Sequence, residues 1–310
     1  MAKTQRVIWQ LSDGKAGHDE QATGLVCALS KLISVNSVLI QVSPKRLKGV
    51  INALLGFFPE GRFLPRPDII LGAGSSCISP LVAAKREYGG RSIYIMDSGL
   101  PERLFDLNIV PRHDHAVDGP RCIPTEGPMN SILGNGPKKN NSGLILIGGT
   151  SKHYKWAHKI LIDQIDYLID KTSQVDWTIV TSRRTPASSK ADLSNISLSA
   201  DQTFMAFDKW ERGGLRERLN ETEQVWVTRD SISMIYEALT AGCTVGILDM
   251  PIRKRNRVTN VPTLLKNRGW VRTIKNPKGP TAAPLLSEAT RCAFKILTMW
   301  PELGERASVK

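Results

Sequence analysis

The chain has 310 residues, 41% hydrophobic and 23% charged, with 42 Lys and Arg against 29 Asp and Glu, a formal net charge of +13. That balance excludes a disordered or fibrous chain, fits two globular domains of ordinary size, and favours anionic partners such as nucleotides, phospholipid headgroups or nucleic acid. Five widely spaced cysteines without a C-x-x-C argue against structural zinc and a disulfide framework and fit a reducing compartment.

The first predicted strand is Val7–Leu11, entered with no signal-peptide apolar core before it. The chain leaves it through Ser12-Asp13-Gly14-Lys15-Ala16-Gly17-His18 into a helix with Leu25, Leu29 and Leu32 on one side. An acid, a cation, an imidazole and two glycines thus share seven residues. Glycines admit a ligand close to the backbone, and Asp13 or His18 can act as general base with Lys15 beside them. The plainer alternative makes Asp13 a turn former and His18 a first-turn helix residue. Ser34–Val42 reads as a second strand. Lys45 to Phe58 reads as an apolar helix, basic at one end. Its Leu54, Leu55, Phe57 and Phe58 suit either an interfacial helix on an anionic membrane or packing on the core. No apolar run of about 18 residues occurs, so no membrane span is predicted.

Pro65 and Pro67 interrupt the chain before strand Asp68–Gly72, and Gly72-Ala73-Gly74-Ser75-Ser76 turns into a helix reaching Ala84. This loop has G-x-G alone, with no acidic ribose binder at the usual distance, and no G-x-x-x-x-G-K-[ST] exists. NAD enzymes and P-loop nucleotidases are both disfavoured. Strands Arg91–Met96 and Leu107–Pro111 complete the first half. Gly134–Gly143, without an apolar residue, reads as a linker.

The alternation then restarts. Leu144–Ile147 is a strand running into Gly148-Gly149-Thr150-Ser151-Lys152-His153, which offers backbone N–H groups and a lysine to phosphate. A helix is predicted from about Trp156 to Asp170. Strand Trp177–Thr181 ends in Ser182-Arg183-Arg184-Thr185-Pro186, whose arginines can make forked bonds to phosphate oxygens. Gln224–Leu248 reads as strand, helix, strand. Asp230 or Ser231 is placed to cap the helix, Ile232, Ile235, Tyr236 and Leu239 form its apolar face, and Gly242 stops it. Ser233, Glu237 and Thr240 make a polar stripe. A carboxylate two turns beyond an anion-binding helix start can reach a ribose, although a plain strand–helix–strand unit with a solvated face has the same spacing. From Pro251 to Pro280 the chain carries cations and no acid, either lining a phosphate site or forming a solvated basic face. Leu285–Trp300 is predicted to be a closing helix.

Strands alternating with helices argue for an α/β protein of two Rossmann-like domains facing across a cleft, with ligands at the carboxyl ends of the strands. The predicted domains are 1–137 on the acceptor side and 138–310 for the nucleotide, with the final helix packing back on the first.

Four motifs in order carry a family resemblance: Ser12-Asp13-Gly14-Lys15-Ala16-Gly17-His18, Gly148-Gly149-x-Ser151-Lys152-His153, Thr181-Ser182-Arg183-Arg184-Thr185-Pro186 and Thr228-x-Asp230-Ser231-x-Ser233-Met234. Together they resemble the mitochondrial-fission "elongated mitochondria" family along essentially the whole chain. Plant relatives are linked to recruiting a dynamin-type fission protein to the outer mitochondrial membrane, and bacterial members are described as glycosyltransferases. The layout is more distantly similar to GT-B glycosyltransferases of the lipid-linked murein type. That resemblance implies a first loop facing the acceptor and a second domain holding a nucleotide sugar. Glu237 then corresponds to the ribose carboxylate, and Ser231, Ser233 and Met234 to the diphosphate turn. The first loop departs from the murein enzymes by having Ser12-Asp13-Gly14-Lys15 in place of a run of glycines.

The expected activity is sugar transfer from a nucleotide-sugar donor to an envelope glycolipid or polysaccharide. The alternative is a non-catalytic membrane-associated adaptor that keeps the fold. Asp13 and His18 are the candidate bases, and Lys15, Gly74 and Ser75 are expected on the acceptor side. Gly149, Ser151, Lys152, Ser182, Arg183, Arg184, Thr228, Asp230, Ser231, Ser233, Met234 and Glu237 are expected around the donor. No D-x-D stands at a strand end, so neither metal nor cofactor is expected. No nucleic-acid motif is present, and the expected location is cytoplasmic, extending to the inner face of the cytoplasmic membrane through Lys45–Phe58.

Overall fold

A computed structural model describes residues 5–42, 46–114, 116–132, 134, 136–194, 203–209 and 214–304. These residues form two compact units, 1–131 with 287–310 and 132–286. Unit one contains β1 (Arg6–Ser12), α1 (Ala16–Leu32), β2 (Val35–Gln41), α2 (Arg46–Leu55), β3 (Ile69–Ala73), α3 (Ile78–Tyr88), β4 (Arg91–Ile95), β5 (Leu107–Pro111) and β6 (Cys122–Thr125). Unit two contains β7 (Lys139–Leu146), α4 (His158–Lys171), β8 (Asp176–Val180), α5 (Ala187–Ser194), β9 (Thr203–Met205), α6 (Gly214–Glu221), β10 (Thr222–Thr228), α7 (Ile232–Thr240), β11 (Thr244–Leu248), α8 (Arg257–Asn267) and β12 (Arg272–Thr273). The last helix, α9 (Glu288–Met299), belongs to unit one and packs along α1, with Cys292, Ala293 and Ile296 in one core cluster with Leu25 and Leu29.

Each unit is built on a six-stranded, all-parallel sheet. The order is β2-β1-β3-β4-β5-β6 in unit one and β12-β11-β10-β7-β8-β9 in unit two. Helices cover both faces, so central strands such as Ile69-Ile70-Leu71 are buried throughout and read as continuous apolar runs. Alternate residues of a strand serve different cores. On β1, Ile8 joins Leu25, Leu29 and Ile296, while Trp9 and Leu11 join Phe58, Leu81 and Phe105. On β7, Leu144 and Leu146 pack with Ile235 and Leu239, and Ile145 packs with Leu161, Ile165 and Trp177.

The strand order reverses once in each sheet, between β1 and β3 in unit one and between β7 and β10 in unit two. Outside the carboxyl ends at such a switch point the connections leave to opposite faces of the sheet, and ligands of open parallel sheets bind there. The loops nominated from sequence occupy these two places.

Two expectations are corrected. Residues Gly134–Gly143 are not all linker: β7 begins at Lys139, pairing with Thr222 on β10, and Ser142 pairs with Asp176 on β8. Its first three residues are exposed and polar because they lie at the amino edge of the sheet, where alternation carries no apolar signal. The Lys45–Phe58 helix is α2, ending at Leu55; Lys45 lies outside the described residues. Phe58 is a core residue, 2% exposed with its ring centroid 6.0 Å from that of Trp9, whereas Phe57 is half exposed. Short elements β6, α5, β9, α6 and β12 carry too few periodic residues to stand out in sequence.

Candidate functional site

At the switch point of unit one the chain leaves β1 through a tight loop. Ser12 Oγ accepts from Gly14 N at 3.1 Å, and Gly14 has a φ of +76°, in the region that favours glycine. This turns the Asp13 side chain inward, where it is 2% exposed. Its carboxylate accepts from Lys15 N at 3.2 Å and from Lys15 Nζ at 2.9 Å, and both oxygens lie 3.0–3.1 Å from His18 Nδ1. Burial pushes the Asp13 carboxyl up, but the Lys15 ammonium and the His18 imidazole outweigh it and hold the group below the ordinary carboxylate range. An ionised carboxylate only accepts, so in the neutral imidazole Nδ1 carries the proton and Nε2 the lone pair. His18 is 21% exposed and is the outward member of the pair.

Gly74, after β3, completes the cluster. Its φ is +86°, and a Cβ there would lie 2.2 Å from His18 Nδ1, so only glycine lets the β3 turn approach the ring. Ser75 is exposed beside it. Cys77, under the loop, is no nucleophile: burial pushes its thiol up to about 12.

At the switch point of unit two, three strand ends are tied together by their own polar groups. Gly148 N donates to the buried Thr228 Oγ1 at 2.7 Å, Gly149 N to Asp230 Oδ2 at 3.0 Å, and Thr150 N to Arg184 O at 3.2 Å. Arg184 Nη1 pairs with Asp230 Oδ2 at 2.8 Å and donates to the Gly149 and Thr150 carbonyls at 3.2 Å. Ser182 Oγ donates to Gly148 O at 2.7 Å, and Ser151 Oγ accepts from His153 N and Tyr154 N at 3.3 Å. A Cβ at Gly148 would meet the Asp230 carboxylate at 2.4 Å, and one at Gly149 the Arg184 carbonyl at 2.0 Å, which is why both are glycines.

The N–H groups of Gly148, Gly149 and Thr150 are therefore spent inside the turn, contrary to their reading as free donors. The Ser182 hydroxyl and Arg184 Nη1 donate inside the turn too, Asp230 Oδ2 accepts there, and Ser151 Oγ and Thr228 Oγ1 serve it as acceptors of backbone N–H groups. Asp230, expected as a cap for α7, faces the glycine turn instead, and Ser231 makes no side-chain cap bond. The first intrahelical bond of α7 runs from Ile235 N to Ser231 O, leaving the N–H groups of Ile232, Ser233 and Met234 without a partner in the helix. Lys152, Arg183 and Ser233 are exposed, Met234 and Glu237 partly buried, and the Arg183 guanidinium lies 5.7 Å from the Phe207 ring centroid. Thr240, counted with the polar stripe, is buried.

One partnership escaped the sequence reading. The turn after β7 pairs with the loop after β11: Arg253 N donates to His153 O at 2.9 Å and Lys155 N to Pro251 O at 2.8 Å. Asn256 Nδ2 then lies 2.9 Å from His153 Nδ1. The Asn256-x-x-Thr259 spacing before an apolar run is the available signal, since it marks a helix start.

Residues 16–300 match the family model described as Mitochondrial fission ELM1. The "Uncharacterized protein RP120" of Rickettsia prowazekii (strain Madrid E) is 22% identical over 302 residues, covering 79% of this chain and 83% of that protein. Among solved structures, a putative UDP-N-acetylglucosamine 2-epimerase from Listeria monocytogenes is similar with a TM-score of 0.60 and 11% identity, covering 96% of this chain and 98% of that one. MurG from Acinetobacter baumannii is similar with a TM-score of 0.52 and 12% identity, covering 96% and 93%. At such identities the likeness establishes the fold, a pair of Rossmann-like domains of the GT-B kind.

Proposed function

This chain belongs to the mitochondrial fission ELM1 family, and we propose that it is a metal-independent GT-B-type glycosyltransferase, moving a sugar from a nucleotide-sugar donor to an envelope glycolipid or polysaccharide. The observation that carries this reading is the uncapped start of α7 at the switch point of unit two. Such a start presents N–H groups and the positive end of the helix dipole to an anion. Lys152 and Arg183 add exposed cations on the neighbouring strand ends, and Glu237, on the second turn of α7, suits ribose hydroxyls. The Listeria protein with this fold is named for a UDP-sugar, which makes UDP the first nucleotide to try.

In unit one, His18 Nε2 takes the proton of the acceptor hydroxyl as its oxygen attacks the anomeric carbon. Asp13 keeps the imidazole in the productive tautomer and stabilises the imidazolium that forms. The bond from the anomeric carbon to the diphosphate breaks, and the charge on the leaving group is taken up by the α7 N–H groups, Lys152 and Arg183.

The second reading, a membrane-associated adaptor, is favoured by α2, on which Leu54 and Leu55 are 71% and 74% exposed, with Phe63 nearby in sequence at 90%. The Arg62 guanidinium lies 5.5 Å from the Phe63 ring centroid, and Arg86 Nη1 donates to the Ala53 and Leu54 carbonyls. An apolar surface beside cations suits an anionic bilayer face, and no helix of the described residues is long and apolar enough to cross a membrane. An enzyme working on a lipid-linked acceptor at the inner face of the cytoplasmic membrane would use the same surface.

Thermal shift with UDP, GDP, ADP and CMP separates the readings. The enzyme reading expects stabilisation by at least one nucleotide, weakened tenfold or more in affinity by Glu237→Ala, which removes a charged hydrogen-bond acceptor. No shift with any nucleotide at millimolar concentration leaves the adaptor. Flotation with anionic vesicles, lost in Leu54→Ser/Leu55→Ser, tests the membrane surface; unchanged flotation removes α2 from it.

A further inference from the structure

The partnership between His153 and Asn256 fixes a proton. Asn256 is the N-cap of α8, where its Oδ1 accepts from Val258 N at 2.9 Å and Thr259 N at 3.1 Å, while its own N–H donates to Thr259 Oγ1 at 2.8 Å. Two backbone donors on one side identify that atom as the amide oxygen, so the atom 2.9 Å from His153 Nδ1 is the NH₂ group, which also donates to Lys254 O at 3.3 Å. An amide NH₂ only donates, so Nδ1 must present its lone pair. A neutral imidazole with a lone pair on Nδ1 carries its hydrogen on Nε2. No described residue bonds to His153 Nε2, and it is not among the enclosed polar atoms that lack a partner, so it remains open to solvent.

The ring stands at the switch point of unit two. Its own backbone N–H is held by Ser151, and the next residue, Tyr154, lies close enough to Arg229 and Asp230 for their charges to act on its hydroxyl. The charged side chains carried by the segments that meet at the ring are Lys152 and Lys155 on its own turn and Asp249, Arg253, Lys254 and Arg255 on the facing loop, cations except Asp249, which pairs with Arg229 at 2.8 Å. Burial and the Lys152 charge both push His153 below the ordinary histidine value, in keeping with a ring that stays neutral.

The geometry points to His153 as a neutral hydrogen-bond donor: Asn256 holds Nδ1 as an acceptor, and Nε2–H is offered to the diphosphate of the nucleotide ligand. This rests on the nucleotide reading of unit two and adds to it a named donor with a locked tautomer. The lock keeps the donor in place without a change of charge across neutral pH, whereas a histidine left free could present either a donor or a lone pair to the phosphate.

The test has two arms on the full chain. The first is ¹⁵N NMR of the imidazoles without ligand, with His153 assigned by its absence in His153→Gln. The expected signal is the Nε2–H tautomer at pH 7, and an Nδ1–H tautomer or an imidazolium there overturns the lock. The second is calorimetric titration with UDP. His153→Phe, which keeps a ring and loses the donor, is expected to weaken binding about tenfold to a hundredfold, as for a hydrogen bond to a charged group. His153→Gln, whose amide NH₂ reaches the place of Nε2–H, is expected to restore most of it. Asn256→Asp keeps the helix cap but places an acceptor opposite Nδ1, so UDP binding becomes tight in acid and weak above neutrality while the wild type stays flat. Wild-type binding that is unchanged in His153→Phe overturns the donor role alone. If no nucleoside diphosphate binds the wild type, the nucleotide reading fails with it, and the NMR arm still decides the lock.

Discussion

His18 and His153 follow the first strand of their respective sheets, β1 and β7, yet each is set up for the opposite task. The difference lies in one partner at Nδ1. Asp13 is an acceptor, so His18 holds its proton inward and turns a basic lone pair outward. Asn256 presents a donor, so His153 turns its lone pair inward and its N–H outward. The rings are chemically identical, and the loop spacing around them does not distinguish a base from a donor. What distinguishes them is a group five residues away in one case and 103 in the other.

The largest effect expected from this contrast is on turnover. His18→Ala removes the proposed base and Asp13→Asn its orienter, and each is expected to slow sugar transfer by about 10²–10⁴-fold, the range of general base catalysis. UDP affinity, a property of unit two, should stay within a few-fold of wild type. His153→Phe should show the reverse pattern, weakened binding with a smaller loss of turnover at saturation. If His18→Ala turns over normally while His153→Phe does not, the two roles have been assigned the wrong way round.

A second contrast concerns the two inward carboxylates, Asp13 after β1 and Asp230 after β10, 2% and 0% exposed. Asp13 orients His18, the proposed base, whereas Asp230 ties Gly149 N and Arg184 together and so builds the turn. Asp230→Ala strands a backbone donor and a partly exposed guanidinium, and a cost of about 1–3 kcal/mol is expected in chemical denaturation. Asp13→Asn should cost less stability and far more activity. Equal destabilisation by both, with equal activity, would erase the distinction.

The sheets and the motif-bearing turns were legible because parallel strands buried on both faces leave apolar runs, and because glycine and cation clusters at strand ends stand out against them. The destination of each polar group was not legible. Ser151, Ser182, Thr228 and Arg184 have the composition of a phosphate site, yet the described bonds of their hydroxyls and of Arg184 Nη1 go to the protein's own backbone and to Asp230. Phosphate and backbone carbonyl ask for the same donors from Ser182 and Arg184. The oxygens of Ser151 and Thr228 accept backbone N–H groups that a phosphate would otherwise take. Residue type therefore cannot choose between these ends; packing does. The α7 cap shows the same limit from the other side. Asp230 and Ser231 fit a cap by position, but the close approach of Gly148 draws the Asp230 carboxylate toward the turn and leaves the helix start open. Asn256 was hidden for a simpler reason: its partner lies 103 residues away.

The smallest effect expected is on the pH dependence of stability, and it separates the two histidine sites without any substrate. Asp13 titrates below its ordinary value of 3.8 in the folded protein. The unfolded chain therefore takes up that proton first as pH falls, and the stability it contributes, present above about pH 4, is lost as pH drops through the folded value. His153 is also depressed, from an ordinary value of 6.5. The folded protein resists that proton, so stability present above about pH 6.5 declines as pH falls below it, down to the folded value. The two losses fall in separate windows because the ordinary values of the two groups lie far apart. In melting curves taken from pH 8 to pH 3, His153→Gln should flatten the decline just below pH 6.5 and leave the acid limb intact, whereas Asp13→Asn should flatten the acid limb alone. An unchanged upper slope in His153→Gln would mean that the ring can take a proton in the fold, and Asn256 would then not be holding its lone pair.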